Sequence, residues 1–125
     1  MAGESDGRRS KAGALRNAQH VLNTLRSIDP DMTMQQASTL VAIFILLQEE
    51  SPTIKMVVKS TGLAPSTASR NMRLLGSSAL FYGADGKKRR GGLGLVNMYQ
   101  DTEDYRYKRI KLTPKGEAAL ATLIR

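Results

Sequence analysis

The chain has 125 residues, enough for one hydrophobic core and one domain. Its composition, 41% hydrophobic and 24% charged with no cysteine and the lone histidine His20, is ordinary for a soluble globular protein and excludes disulfides, thiolate metal sites and a nitrogen–sulfur zinc set. The net charge of +8 is segregated: residues 1–52 hold five Lys/Arg against six Asp/Glu, 53–93 eight against one, and 94–125 six against four, so the basic excess sits mid-chain and points to a polyanionic partner.

The first residues, MAGESDGRRSKAG, are small and polar without periodicity, so 1–13 are expected to form a flexible basic and polar arm with no secretory signal. From Ala14, apolar residues at Leu15, Ala18, Val21/Leu22, Leu25 and Ile28 predict an amphipathic helix that stops before Asp29-Pro30. The stripe Leu15, Ala18, Leu22 and Leu25 is either core or the face of a dimer helix. Thr33 and Gln36 form a capping box for a second helix over roughly 34–49. Its centre, LVAIFILL, is apolar on every side, which places it in the middle of the core and is too short for a membrane span.

Ser51-Pro52 ends that helix, and Thr53 can cap a short third one through Ser60 with Ile54, Val57 and Val58 inward. Thr61-Gly62-Leu63 supplies a tight turn, and Pro65 suits the first turn of a fourth helix, read here as 65–80. Two short helices joined by a Gly-containing turn are a helix-turn-helix. On the fourth helix Ser66, Ser69, Arg70 and Arg73 fall within an arc of roughly 100°, opposite Ala68, Met72 and Leu75. Glycines at 83, 86, 91 and 92 surround Lys87, Lys88, Arg89 and Arg90, so 83–92 is expected as a basic loop. Leu95–Tyr99 and Tyr105–Leu112 then read as two strands about the polar tip QDTED, a hairpin spanning 94–112, and Thr113-Pro114 caps a last helix with Leu120, Leu123 and Ile124 inward. The order is that of a winged helix-turn-helix: mainly α with a small β-hairpin, filling 14–125.

Asp104 to Gly116, DYRYKRIKLTPKG, resembles the wing signature of the MarR family of bacterial winged-helix regulators: Asp and Arg two apart, an apolar residue at Ile110, then Leu-Thr and a Gly three later. Gly94-Leu95-Val96 resembles the start of that wing, and Ser66-Thr67-Ala68-Ser69-Arg70 the start of the recognition helix. The resemblance covers roughly residues 33–120. It implies a double-stranded-DNA partner, operator occupancy as the mode of action, and a bacterial cytoplasm or, for a phage protein, a host cytoplasm as the setting. Family members also sense small molecules, but no effector pocket is legible here. Three departures stand out. In the family the recognition helix runs almost directly into Gly-Leu-Val, whereas here some fifteen to twenty residues intervene, including the basic loop. Met98 stands where family members often carry Arg. The chain ends at Arg125, inside the helix that in the family continues into the dimer interface, so a homodimer is left open.

The candidate DNA-binding residues follow. Ser66, Thr67, Ser69, Arg70 and Arg73 would face the major groove, where an arginine reaches guanine O6 and N7 with both arms and discriminates by about 1–3 kcal/mol per good pair; the alternative is a solvated helix face. Lys87, Lys88, Arg89 and Arg90 are either a phosphate clamp or a solubilising loop. Arg106 and Lys108 resemble the family's minor-groove contact, but Asp101, Glu103 and Asp104 at the tip repel phosphate, so Asp104 is expected to pair with Arg106. Tyr99, Tyr105 and Tyr107 are expected as cross-strand pairs in preference to base-stacking platforms. No nucleophile–base pair, metal cluster or cofactor loop is present, so the chain is not expected to be an enzyme or to need a cofactor or metal. Two further readings remain: a sequence-tolerant DNA-coating or replication-accessory protein, and a winged helix used for protein–protein contact.

Overall fold

The computed structural model describes residues 2–76, 80–82, 88–90 and 92–125, and for 2–9, 80–82 and 88–90 it describes the backbone alone. Helix α1 (Ala2–Ile28) is followed by α2 (Met34–Leu47), α3 (Ile54–Thr61), α4 (Pro65–Leu75), the short strands β1 (Leu80–Tyr82) and β2 (Lys88–Arg90), the wing strands β3 (Val96–Gln100) and β4 (Lys108–Leu112), and α5 (Pro114–Leu123). Each start is explained locally. Thr33 accepts from the Gln36 N–H at 3.1 Å while the Gln36 side chain accepts from the Thr33 N–H at 3.0 Å, the reciprocal capping box. Thr53 caps α3 through the Met56 N–H, and Thr113 caps α5 through the Gly116 N–H. Gly62 closes α3 at φ +72°, where a side chain would be strained.

The core gathers around α2. Leu40 and Ile43 are fully buried, with Phe44 beside them; Val57 of α3, Met72 and Leu75 of α4, and Leu95, Val96 and Ile110 of the wing close over them. Leu25 joins them from α1, and α5 packs along α1, where His20 Nε2 lies 2.8 Å from the Thr122 carbonyl oxygen. One buried polar pair crosses the core: Asn71 Nδ2 donates to Thr39 Oγ1 at 3.2 Å, and Thr39 Oγ1 donates to the Gln35 carbonyl. It ties α4 to α2 and satisfies both side chains.

Several expectations are corrected. The arm expected at 1–13, described from Ala2 on, is the N-terminal part of α1, which runs back to Ala2; no proline interrupts the segment, and a residue added to an existing helix gains a hydrogen bond without a new nucleation cost. The fourth helix stops at Leu75, not at 80, because the Gly76 N–H bonds the Arg73 carbonyl and the chain turns to extended backbone. Of the loop expected at 83–92, Lys88–Arg90 is strand, paired antiparallel with Leu80–Tyr82 in the register Leu80↔Arg90. Ile45 of the supposedly all-buried helix α2 is exposed, and Ile124, expected inward, is 70% exposed beyond the end of α5.

Residues 74–76 and 93–96 meet side by side. Leu93, Gly94 and Leu95 donate their N–H groups to the carbonyls of Leu74, Gly76 and Leu75, each at 2.9 Å, and Gly76 bridges Val96 in parallel. The segment between them therefore departs from and returns to one point. Helix α4 and the wing are joined across that neck as directly as if no residues intervened.

Candidate nucleic-acid interface

Helix α4 presents two chemically distinct sides. Ala68, Asn71, Met72 and Leu75 are buried, which fixes the helix rotation. Ser66, Arg70 and Arg73 are exposed and Thr67 and Ser69 half-buried. Neither arginine makes an ion pair or hydrogen bond among the described residues. At the helix start Ala64 offers no side-chain cap, Pro65 has no N–H, and Ala68 is the first residue whose N–H bonds back, to the Ala64 carbonyl. The N–H groups of Ser66 and Thr67 are thus open to a polar partner.

Between the end of α4 and the wing lies a cleft of about 280 Å³ whose lining includes Arg73, Asn97, Met98, Gln100 and Lys108. The fold thereby brings together Arg73 and Lys108, one from the helix and one from the wing. Leu95, Val96 and Ile110 are buried where the wing meets the body, whereas Met98 and Lys108, on the same face of the hairpin as Val96 and Ile110, are exposed, so burial falls off along that face toward the tip. Met98 at the cleft is apolar where the resembled wing often carries arginine.

The wing tip is larger than the sequence suggests. Strand pairing ends at Gln100↔Lys108, and the loop is closed by the Asp101 N–H donating to the Tyr107 carbonyl at 3.0 Å. Tyr105 and Tyr107 lie in this loop, so the expected cross-strand tyrosine pairs do not form; Tyr99 faces Arg109 in the register instead. The Tyr99 ring meets the Lys111 ammonium 5.5 Å from its centroid, and Tyr107 meets the Arg106 guanidinium at 5.7 Å, both cation–π distances. Asp104 takes Arg106 by both arms, Nε to Oδ1 at 3.0 Å and Nη2 to Oδ2 at 2.9 Å, the pairing expected from the sequence. That guanidinium holds the Asp104 carboxyl below the usual carboxylate range, as the Arg109 guanidinium does for Asp101.

Arg109 was not singled out by the sequence. Its Nε donates to Asp101 Oδ2 at 2.7 Å and its Nη1 to the Ser51 carbonyl at 2.6 Å. Beside it the Ile110 N–H donates to the Pro52 carbonyl and Arg109 bridges Thr53, so the α2–α3 turn serves as a third edge of the wing. The tip assigned as QDTED hid this pairing, because it set Tyr105 in the strand and left Asp101 with no defined partner. Lys88, Arg89 and Arg90 lie on β2, for which the backbone alone is described, and Lys87 lies outside the described residues. On α1 the stripe divides: Leu25 is core, whereas Leu15, Ala18 and Leu22 are exposed, Leu22 by 52%. No group of His, Asp and Glu among the described residues could hold a metal, and no described helix is long and apolar enough to cross a membrane.

No protein-family model and no curated protein sequence matches the chain. Solved structures do. A MepR–DNA complex from S. aureus superposes with a TM-score of 0.57 at 22% identity, over 94% of this chain and 77% of that one. RV1404 from Mycobacterium tuberculosis gives 0.61 at 16% identity, over 97% and 70%, and a MarR family transcription regulator gives 0.56 at 22%, over 99% and 72%. The fold is that of the MarR winged helix. In this fold α3 and α4 are the two helices of the helix-turn-helix and β3–β4 the wing, and the exposed Arg70–Arg73 side, the cleft and the wing tip lie on those elements.

Proposed function

We propose that the chain binds double-stranded DNA as a sequence-specific transcriptional regulator of MarR type, acting by operator occupancy. The observation that carries this reading is the α4 surface: two exposed arginines without partners among the described residues, on a helix whose rotation is locked by four buried residues. An arginine held ready on a rigid helix suits bidentate readout of guanine. The likeness to a MepR–DNA complex and the basic excess of residues 53–93 support the same conclusion. Ser66, Thr67 and Ser69 would take phosphate or base edges beside the arginines, Arg106 and Lys108 would meet the backbone or minor groove from the wing, and Lys87, Lys88, Arg89 and Arg90 would grip phosphates between them. The reading carries with it a cytoplasmic location and no catalytic role.

The test is a titration of selected and random duplexes at two salt concentrations, because the specificity ratio rather than the affinity separates a regulator from a DNA-coating protein. Arg70→Ala and Arg73→Ala should each weaken binding to the selected duplex by about 1–3 kcal/mol and relax base preference, with thermal stability nearly unchanged. Equal affinity for every duplex would favour the coating role, and binding to none would leave a winged helix for protein contact.

A further inference from the structure

The wing tip is organised in two tiers. The outer tier is the Asp104–Arg106 pair, whose arginine side chain is 81% exposed. The inner tier is Asp101, whose Oδ1 accepts the Glu103 N–H at 2.8 Å and the Asp104 N–H at 3.4 Å, and whose Oδ2 accepts from Arg109. Asp101 thus fixes the backbone of the residue that orients Arg106. The Arg106 N–H itself donates to Asp104 Oδ1 at 3.1 Å. Arg109 in turn is anchored outside the wing, on the Ser51 carbonyl of the α2–α3 turn. Its side chain is 28% exposed and that of Asp101 14%, so neither is presented as a surface contact. The chain of bonds runs from the helix-turn-helix body, through Arg109 and Asp101, to the backbone beneath Asp104 and so to Arg106.

We propose that Arg109 and Asp101 are positioning residues that set the pose of Arg106 on DNA by locking the wing tip to the α2–α3 turn. The inference rests on the DNA-binding reading above and adds to it the device by which the wing holds its register against the recognition helix. The chemistry requires an arginine: Nε and Nη1 reach two acceptors in different directions from one rigid plane, which a lysine ammonium on a flexible stem does not reproduce. The device also explains why carboxylates stand on a surface turned toward phosphate. They act on the protein backbone, and their cost in repulsion is offset by holding one guanidinium in place.

The sign of the effect makes the test decisive. Removing a carboxylate raises the net positive charge, and by electrostatics alone it tightens binding to DNA. Positioning predicts the reverse. With a duplex that the parent chain selects from a randomised pool, Asp101→Asn should weaken binding about 3- to 10-fold, whereas Glu103→Gln, on the same tip but outside the relay, should bind as tightly as the parent or tighter. Arg109→Lys, which keeps the charge, should lose affinity by a similar factor. In the Arg106→Ala background both losses should vanish, because the group they position is gone. In the Arg70→Ala background they should persist in full and multiply with it. Losses from Asp101→Asn and Arg109→Lys that multiply with Arg106→Ala would overturn the relay while leaving DNA binding intact. A parent chain that selects no duplex would overturn the DNA reading and the relay together.

Discussion

Gly116 stands in the first turn of α5 with its backbone against the wing: a Cβ built there would lie 2.0 Å from the Leu95 carbonyl oxygen. The approach is close because Thr113 knots the two elements, donating its N–H to the Leu95 carbonyl at 3.0 Å and its hydroxyl to the Gly94 carbonyl while capping Gly116. A contact of backbone on backbone has no flexible end that could move aside. Gly116→Ala should therefore destabilise the fold by about 1–3 kcal/mol or more, seen as a lower midpoint in chemical denaturation. Gly94→Ala is a useful contrast: open space surrounds its Cβ, but its φ of +69° strains any side chain. The sequence showed Thr113 and Gly116 as parts of a motif, and the structure supplies the reason for their spacing. Arg109 carried no such signal. Its role depends on a register in which Gln100 faces Lys108, and a strand's polar residue becomes an anchor only when its neighbours across the sheet are known.

Among the elements, α1 has the most to say about assembly. Its inner side contributes Leu25 to the core, and its outer side leaves Leu15, Ala18 and Leu22 in solvent. Leu22 also borders a groove of about 420 Å³ toward α2, shared with the exposed Met34 and Ile45. Periodicity marked the apolar stripe but could not divide it, since core and partner faces are built from the same residue types. Because Leu22 is half in solvent, Leu22→Glu should leave the monomer folded. If the stripe is a dimer face, the same change buries an unpaired charge there and should abolish self-association in sedimentation experiments. A parent that already sediments as a monomer removes the expectation of a palindromic site. The wing shows the opposite case: its strands were legible from alternation and Val/Ile content, while its tip was not, because tyrosines favour strands as strongly as valines and here sit in the loop.

Taken whole, the molecule concentrates its positive charge in one stretch of the chain. The basic excess lies in residues 53–93, which contain the helix-turn-helix and the added β1–β2 hairpin. Lys88, Arg89 and Arg90 stand on a strand rather than in the loop expected of them, and Lys87 lies outside the described residues. Replacing all four by alanine should weaken binding to every duplex by a similar factor and leave base preference alone. With two to four true phosphate contacts, the salt slope should flatten by about 2–4, since each contact contributes roughly 0.9. An unchanged slope would make the hairpin mere surface, and a loss confined to one sequence would place it in a groove. Fold class, helix order and the exposed polar stripe of α4 were legible because each has a period or a cap; the joint between α4 and the wing was not, because hydrogen bonds between residues 74–76 and 93–95 have no sequence pattern.

That joint has an evolutionary consequence. Since the chain re-enters the body at the place it left, a change in the length of the segment between residues 76 and 93 need not shift α4 against the wing. Loop closure grows only logarithmically with length, about 0.6 kcal/mol per doubling, so segments of very different size can be exchanged there for little loss of stability. If α4 reads DNA as proposed, selection is free to lengthen, shorten or recharge that segment without rewriting what the helix reads. The neck is the point at which such a lineage could change its hold while keeping its address.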